Sequence, residues 1–155
     1  MNYPSEINHY LAEHADLLRK SYRKLLEDEL IVTNKSHGTL AQALFHAPFV
    51  IVSHNIAPDP VFNYANLKAL DLFGFSWEEF TQLPSRLSAE RIHQSERENL
   101  LAEVSQKGYL DRYQGVRITK TGTRFLIKNA VVWNLIDENG CYAGQAAKFG
   151  EWEFL

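Results

Sequence analysis

The sequence predicts an α+β fold: a five-stranded antiparallel sheet with helices over one face and a helical extension at the N-terminus. Three observations predict it. Two β-rich runs, at 49–54 and 61–64, are joined by a proline-bounded turn too short for a parallel crossover. A group of short, sharply capped helices follows. Three longer strand patterns then close the chain, linked by glycine turns.

Residues 5–30 read as an amphipathic helix with Ser5 as N-cap. Ile7, Tyr10, Leu11, His14, Leu17, Leu18, Tyr22, Leu25 and Leu26 recur at helical spacing, with Glu13, Arg19, Lys20, Arg23, Lys24 and Glu27 opposite. Two readings stay open for this helix. It packs on its own domain, or it forms a homodimer seam, because Leu11, Ala15, Leu18, Tyr22 and Leu25 alternate by four and three. Asn34-Lys35-Ser36-His37-Gly38 reads as a linker, dividing an N-terminal helix and linker (1–36) from the main domain (37–155).

A short helix is expected over 39–46. The strand at 49–54 is β-branched and bounded by Pro48 and Pro58, and Ala57-Pro58-Asp59-Pro60 turns the chain into the strand at 61–64. Asn66 caps a helix over Leu67–Phe73, and Gly74 supplies the left-handed residue that stops it. Ser76 and Glu79 form a capping box for the next helix. After an irregular bridge at 83–87, a longer helix begins at Ser88 or Ser95 and runs to Gln106, with Gly108 behind it. Strands follow at 109–119, Arg124–Ile136 and 141–149.

The chain has 155 residues, 45% apolar and 23% charged, which suits one soluble domain with one core. Its net charge of −3 argues against a nucleic-acid partner. Arg19-Lys20 and Arg23-Lys24 read as a solvated helix face. Cys141 is the sole cysteine, so neither a disulfide framework nor a cysteine-rich metal site is expected. The N-terminus lacks a signal-peptide pattern, and no apolar run approaches the ~20 residues of a membrane span. A cytoplasmic protein without a membrane partner is expected. Histidines 9, 14, 37, 46, 54 and 93 lack metal-ligand spacing. No nucleophile elbow, phosphate loop or acidic dyad is present, so no catalytic residue is nominated.

The strand exit Tyr64-Ala65-Asn66, the stop Leu72-Phe73-Gly74-Phe75-Ser76 and the pair Glu78-Glu79 resemble the PAS sensor fold. Further motifs narrow the likeness: Pro84-Ser85-Arg86-Leu87-Ser88-Ala89-Glu90, Tyr113-Gln114-Gly115-Val116-Arg117, Ala130-Val131-Val132-Trp133-Asn134-Leu135 and Gly144-Gln145-Ala146-Ala147. With these the chain resembles the MEKHLA domain, a PAS-related family found alone in bacteria and at the C-terminus of plant homeodomain–leucine zipper proteins. The resemblance covers about residues 40–152 and implies the stand-alone type, a PAS-like sheet around a pocket, and a sensory or interaction role. It implies no particular ligand.

In the light-sensing LOV branch, a Cys-Arg pair after the Glu-Glu helix holds flavin. Those positions fall on Ser85 and Arg86 here, so the resemblance implies flavin without a cysteinyl adduct if flavin binds at all. Haem-binding PAS domains use a histidine on the long helix, a position near Arg97, with His93 one turn earlier. Strand alternation puts Phe125, Ile127, Asn129, Val131, Trp133 and Leu135 on one face, and Cys141, Ala143, Gln145, Ala147 and Phe149 on another. Asn129 and Gln145 are the amides of these faces, each either a ligand handle or a group satisfied by backbone or water. Arg86, Arg97 and Arg117 add anion-binding character or form surface ion pairs. Pocket candidates are therefore Tyr64, Ser85, Arg86, His93, Arg97, Arg117, Asn129, Trp133 and Gln145. The expected function is a PAS-like sensory domain that binds a small molecule and signals by protein contact. The alternatives are a ligand-free dimerisation module and a small enzyme.

Overall fold

The computed structural model describes residues 2–32 and 39–155. The expected linker at 34–38, and the division at residue 36, lie outside the described residues. Helices are α1 (Ala12–Leu26), α2 (Leu40–Phe45), α3 (Leu67–Phe73), α4 (Trp77–Phe80) and α5 (Arg91–Lys107). Strands are β1 (Val50–His54), β2 (Phe62–Ala65), β3 (Tyr109–Ile118), β4 (Arg124–Ile136), β5 (Tyr142–Phe149) and β6 (Glu151–Phe154). The sheet runs β2-β1-β5-β4-β3, with every pairing antiparallel. The sixth strand, β6, extends the expected five by pairing Glu151–Phe154 with 125–128 of β4.

The short roof helices form where their caps place them. Asn66 Oδ1 accepts from Ala69 N at 3.1 Å, starting α3, and from Ile51 N at 3.1 Å in β1. Its Nδ2 donates to Leu44 O and Phe49 O. One buried amide thus joins α2, β1 and α3, and all its bonds are to backbone. Gly74 (φ 79°) ends α3 with its N–H on Leu70 O. Phe73 O then accepts from Lys120 N at the β3–β4 turn, while Lys120 Nζ pairs with Glu79 of the capping box. The roof is tied to the sheet at both ends.

The N-terminal helix differs from its expected span. Glu6–Asn8 form a 3-10 turn, and His9, Tyr10 and Leu11 all have left-handed backbone, with φ of 53–54°. Asn8 explains the interruption: its side chain accepts from Ser5 N and donates to Tyr3 O, competing with continued helix. Ile7 is left 94% exposed rather than on the apolar stripe.

The apolar stripe of α1 packs on the chain's own sheet, on the face opposite α5. Ala15, Leu18, Ser21 and Tyr22 are buried. Tyr22 meets Trp133 edge-on at 5.0 Å, and Ser21 Oγ both accepts from Ile136 N and donates to Ile136 O. The residues of the expected homodimer seam at Ala15, Leu18 and Tyr22 are therefore occupied inside the chain. Among the described residues no helix is long and apolar enough to cross a membrane.

Strand β4 does not keep its alternation. Gly115 pairs with Ile127, but Tyr113 pairs with Ala130, so β4 carries an extra residue between them. Asn129 sits in that bulge at φ 52°. Phe125 and Ile127 face the roof before the bulge. Ala130, Val132 and Asn134 face it afterwards, and Trp133 turns to the α1 side.

Candidate functional site

A cavity of about 60 Å³ lies between the sheet and α5. Val52, Phe62, Leu100, Ile127, Val132 and Phe149 give it apolar walls. His54, Arg97, Tyr113, Arg117 and Gln145 bring polar atoms to it.

Helical period delivers Arg97, which shares the buried stripe of α5 with Leu100 and Val104. Only 7% of Arg97 is exposed, yet among the described residues no hydrogen bond or ion pair engages its guanidinium. Burial, and then the positive charge of Arg117, pull that guanidinium down to about 10, against weaker support from Tyr113 and Glu98. Arg117 is equally buried on β3. It donates to Tyr113 Oη at 3.0 Å and to Val116 O at 2.8 Å, and lies 5.6 Å from the Tyr113 ring centre. Tyr113 in turn donates to Glu96 at 2.9 Å. A side chain at Gly115 would collide with the Tyr113 phenol, so the glycine makes room for this pair.

Strand parity delivers His54. Val52, Ser53 and His54 all border the cavity, but the Ser53 Oγ is directed to α1, where it meets His14 Nε2 at 2.8 Å. His54 Nδ1 donates to Asn55 O at 2.9 Å, leaving Nε2 as a buried acceptor without a partner. Burial pushes the ring toward neutrality and Arg97 adds to that, while the Asn55 carbonyl and the nearby Gln145 favour the charged form. No hydrogen bond of good geometry joins Gln145 to Nε2. Gly144 (φ 130°) lets β5 approach this point, since a Cβ there would strike His54 O.

Gln145 and Asn134 hold α5 down. Gln145 Nε2 donates to Leu101 O, Ser105 Oγ and Asn134 Oδ1, and Asn134 Nδ2 donates to Val104 O. Most of the polar capacity of these amides is spent on fixing the C-terminal half of α5. Arg97 lies nearer the other end of the helix, over the cavity.

The model of the MEKHLA domain family matches residues 12–154, from the start of α1 to the end of β6. This chain belongs to the MEKHLA family. The homeobox-leucine zipper protein HOX29 of Oryza sativa subsp. japonica is 28% identical over 144 residues, and its counterpart in subsp. indica is 27% identical. Those alignments take in 88% of this chain but only 16% of each rice protein. Among solved structures, the PAS domain of a Colwellia psychrerythraea protein aligns with TM-score 0.60 at 16% identity, covering 74% of this chain and 92% of that one. The light-state dimer of the fungal blue-light photoreceptor Vivid aligns with TM-score 0.61 at 16% identity, covering 89% and 93%. The MEKHLA fold here is thus the fold of PAS and LOV sensory domains.

Within this MEKHLA domain the nine candidate residues separate. Arg97, Arg117 and Gln145 meet at the cavity. Tyr64 lies on the α1 side, stacked with His14 at 5.4 Å, with its hydroxyl unpartnered and its pKa pushed up by burial. Trp133 is also on that side, because the β4 bulge reverses parity. Asn129 is exposed at the bulge itself. Ser85 is buried in a 3-10 turn (Ser85–Ser88) but does not line the cavity, and its N–H donates to Pro60 O. Arg86 is exposed and paired with Asp59 at 3.2 Å. His93 is half-buried near the start of α5, off the cavity wall. His54, Tyr113 and Asn134 join the site without having been nominated. For His54 the signal was present, as the third member of the Val50, Val52, His54 alternation.

The MEKHLA cavity does not fit flavin or haem. Pockets for drug-sized ligands run to about 300–1,000 Å³, several times this volume. Arg86, which the LOV resemblance would assign to the flavin phosphate, is exposed and paired with Asp59. The α5 position expected to ligate haem is the cation Arg97. Among the described residues there is also no group of three His, Cys, Asp or Glu side chains able to hold a metal.

Proposed function

We propose that this MEKHLA domain is a sensory module that takes a small molecule into the cavity under α5 and passes its presence to α1. The observation that carries the reading is the cavity itself: apolar walls, two buried guanidiniums and a bare imidazole nitrogen converge on one space. Sites that bind small molecules share this mixture of apolar lining and few placed polar groups. The volume limits the ligand to a few heavy atoms.

Strand β1 supports the output half of the reading. Its adjacent residues His54 and Ser53 both border the cavity, and the Ser53 Oγ reaches His14 on α1. Ser53 Oγ also donates to Asn63 at 2.6 Å, so a shift of β1 disturbs the His14 anchor directly. A ligand moves that anchor only if it binds one arrangement of β1 more tightly than the other. Any homodimer would use a face other than the occupied stripe of α1.

The test is a native mass spectrum of freshly purified protein beside its denatured spectrum, followed by a fragment screen monitored by NMR. A stoichiometric small mass lost on denaturation, or fragments that shift His54 and Arg97 signals, supports the sensor. A clean apo mass together with no fragment at the cavity refutes it, and leaves a ligand-free interaction module.

A further inference from the structure

The cavity's chemistry narrows its occupant, on the reading that it binds a small molecule. We propose that the ligand is a small hydroxycarboxylate, its carboxylate held by Arg97 and Arg117 and its hydroxyl donating to His54 Nε2.

The charge requirement comes from what surrounds the two arginines. Neither Arg97 nor Arg117 has a carboxylate within ion-pair distance among the described residues. Arg117 has a neutral phenol and a carbonyl as partners, and Arg97 has none. Buried charges are normally paired, and two like charges at one cavity worsen each other's burial. An anion relieves both at once. Guanidinium forks favour planar carboxylates, which they grip through two parallel hydrogen bonds.

The hydroxyl requirement comes from His54. The Asn55 carbonyl can only accept, so Nδ1 carries the ring's proton and Nε2 presents a lone pair. That nitrogen is buried on the cavity side of β1, with Gln145 beside the ring but no hydrogen bond of good geometry to it among the described residues. A bare carboxylate there would set lone pair against lone pair. A hydroxyl on the neighbouring carbon would give the nitrogen its donor while the carboxylate faces the arginines. The apolar walls of Val52, Leu100 and Ile127 suit a short carbon chain.

Four probes of similar size separate the terms: lactate, propionate, lactamide and inorganic phosphate, each titrated calorimetrically into the full chain. Lactate binds about tenfold or more tighter than propionate, which lacks the hydroxyl, and than lactamide, which lacks the charge. Phosphate, with charge and hydroxyl but no carbon chain, binds more weakly than lactate. In His54→Leu the gap between lactate and propionate closes, while Arg97→Met loses both. Should a variant fail to fold, the comparison on the unaltered chain still decides. Equal binding of propionate and lactate overturns the hydroxyl assignment, and equal binding of lactamide overturns the anion. Tighter phosphate overturns the carboxylate class. In each of these cases the small-molecule site itself stands. Binding by none of the four, with no NMR fragment hit at the cavity, removes the site and the proposal together.

Discussion

Replacing Arg97 with methionine should stabilise the ligand-free protein. Most buried side chains cost stability when changed, so the sign is diagnostic. Arg97 is 7% exposed and, among the described residues, has no hydrogen bond or ion pair, only weaker charge support from Tyr113 and Glu98. Its guanidinium is held at about 10, against an ordinary value of about 12.5. At about 1.4 kcal/mol per decade, that gap is about 3 kcal/mol borne by the charged form. Methionine keeps much of the stem's packing beside Leu100 and removes the charge. Allowing for the packing that the guanidinium itself provides, a net gain of about 1–3 kcal/mol is expected, in line with apolar replacements of other buried charges. For a chain of this size the melting midpoint should rise by about 2–10 °C. The assay is urea unfolding followed by far-UV circular dichroism. Both proteins are first refolded from denaturant into buffer free of carboxylates, so that no carried-over anion stabilises the original. A destabilisation of more than about 1 kcal/mol at unchanged m-value would mean that Arg97 is satisfied in the free protein. Its isolation would then be no burden, and the case for an anion would fall with it.

Other consequences follow from single contacts. Asn66→Ala should cost about 2–4 kcal/mol by urea unfolding, because it uncaps α3 and strips buried backbone groups of β1 and α2 of their partner. Gly144→Ala should cost at least about 2 kcal/mol, since its Cβ meets His54 O at a backbone angle unfavourable for alanine; an unchanged midpoint would contradict the close approach of β5 to β1. Burial lowers His14 to about 4. Its folded value lies below its unfolded value, so its contribution is intact above the unfolded value of about 6.5 and is lost as pH falls toward 4. His14 is only partly buried, which trims the loss to about 1–2 kcal/mol. The drop in unfolding free energy from neutral pH to pH 4 should shrink in His14→Gln.

What was legible in the sequence was mostly local. Asn66, Gly74, Ser76 and Glu79 each act within a few residues, and the two short helices they bound stand at the expected positions. Arg97 was reached through the resemblance, which places the haem-ligand position of the long helix near it, and α5 buries it on one stripe with Leu100 and Val104. Parity on β4 was not readable past residue 128, because one extra residue at Asn129 moves everything after it to the other face. That single bulge exposed Asn129, sent Trp133 to the α1 side and brought Asn134 in. The break before α1 was hidden in the side-chain bonds of Asn8, which compete with helix at a position of ordinary helical pattern. Strand β6 was missed because Glu151-Trp152-Glu153-Phe154, although it alternates, is only four residues long and follows β5 after a single glycine, too short to stand out without β4 beside it. Arg86 looked like a pocket residue by its place in a motif, but Asp59 across the Pro58–Pro60 turn holds it outside.

The central claim is that cavity and N-terminal helix are coupled through β1. A titration of isotopically labelled protein with lactate, followed by two-dimensional amide NMR, tests it most directly. Coupling predicts shifts at His54 and Arg97 that saturate together with shifts at His14, Ser53 and their neighbours on α1. Saturable shifts confined to the cavity, with α1 signals unmoved, would contradict the coupling, and no saturable shift from any small probe would contradict the sensor.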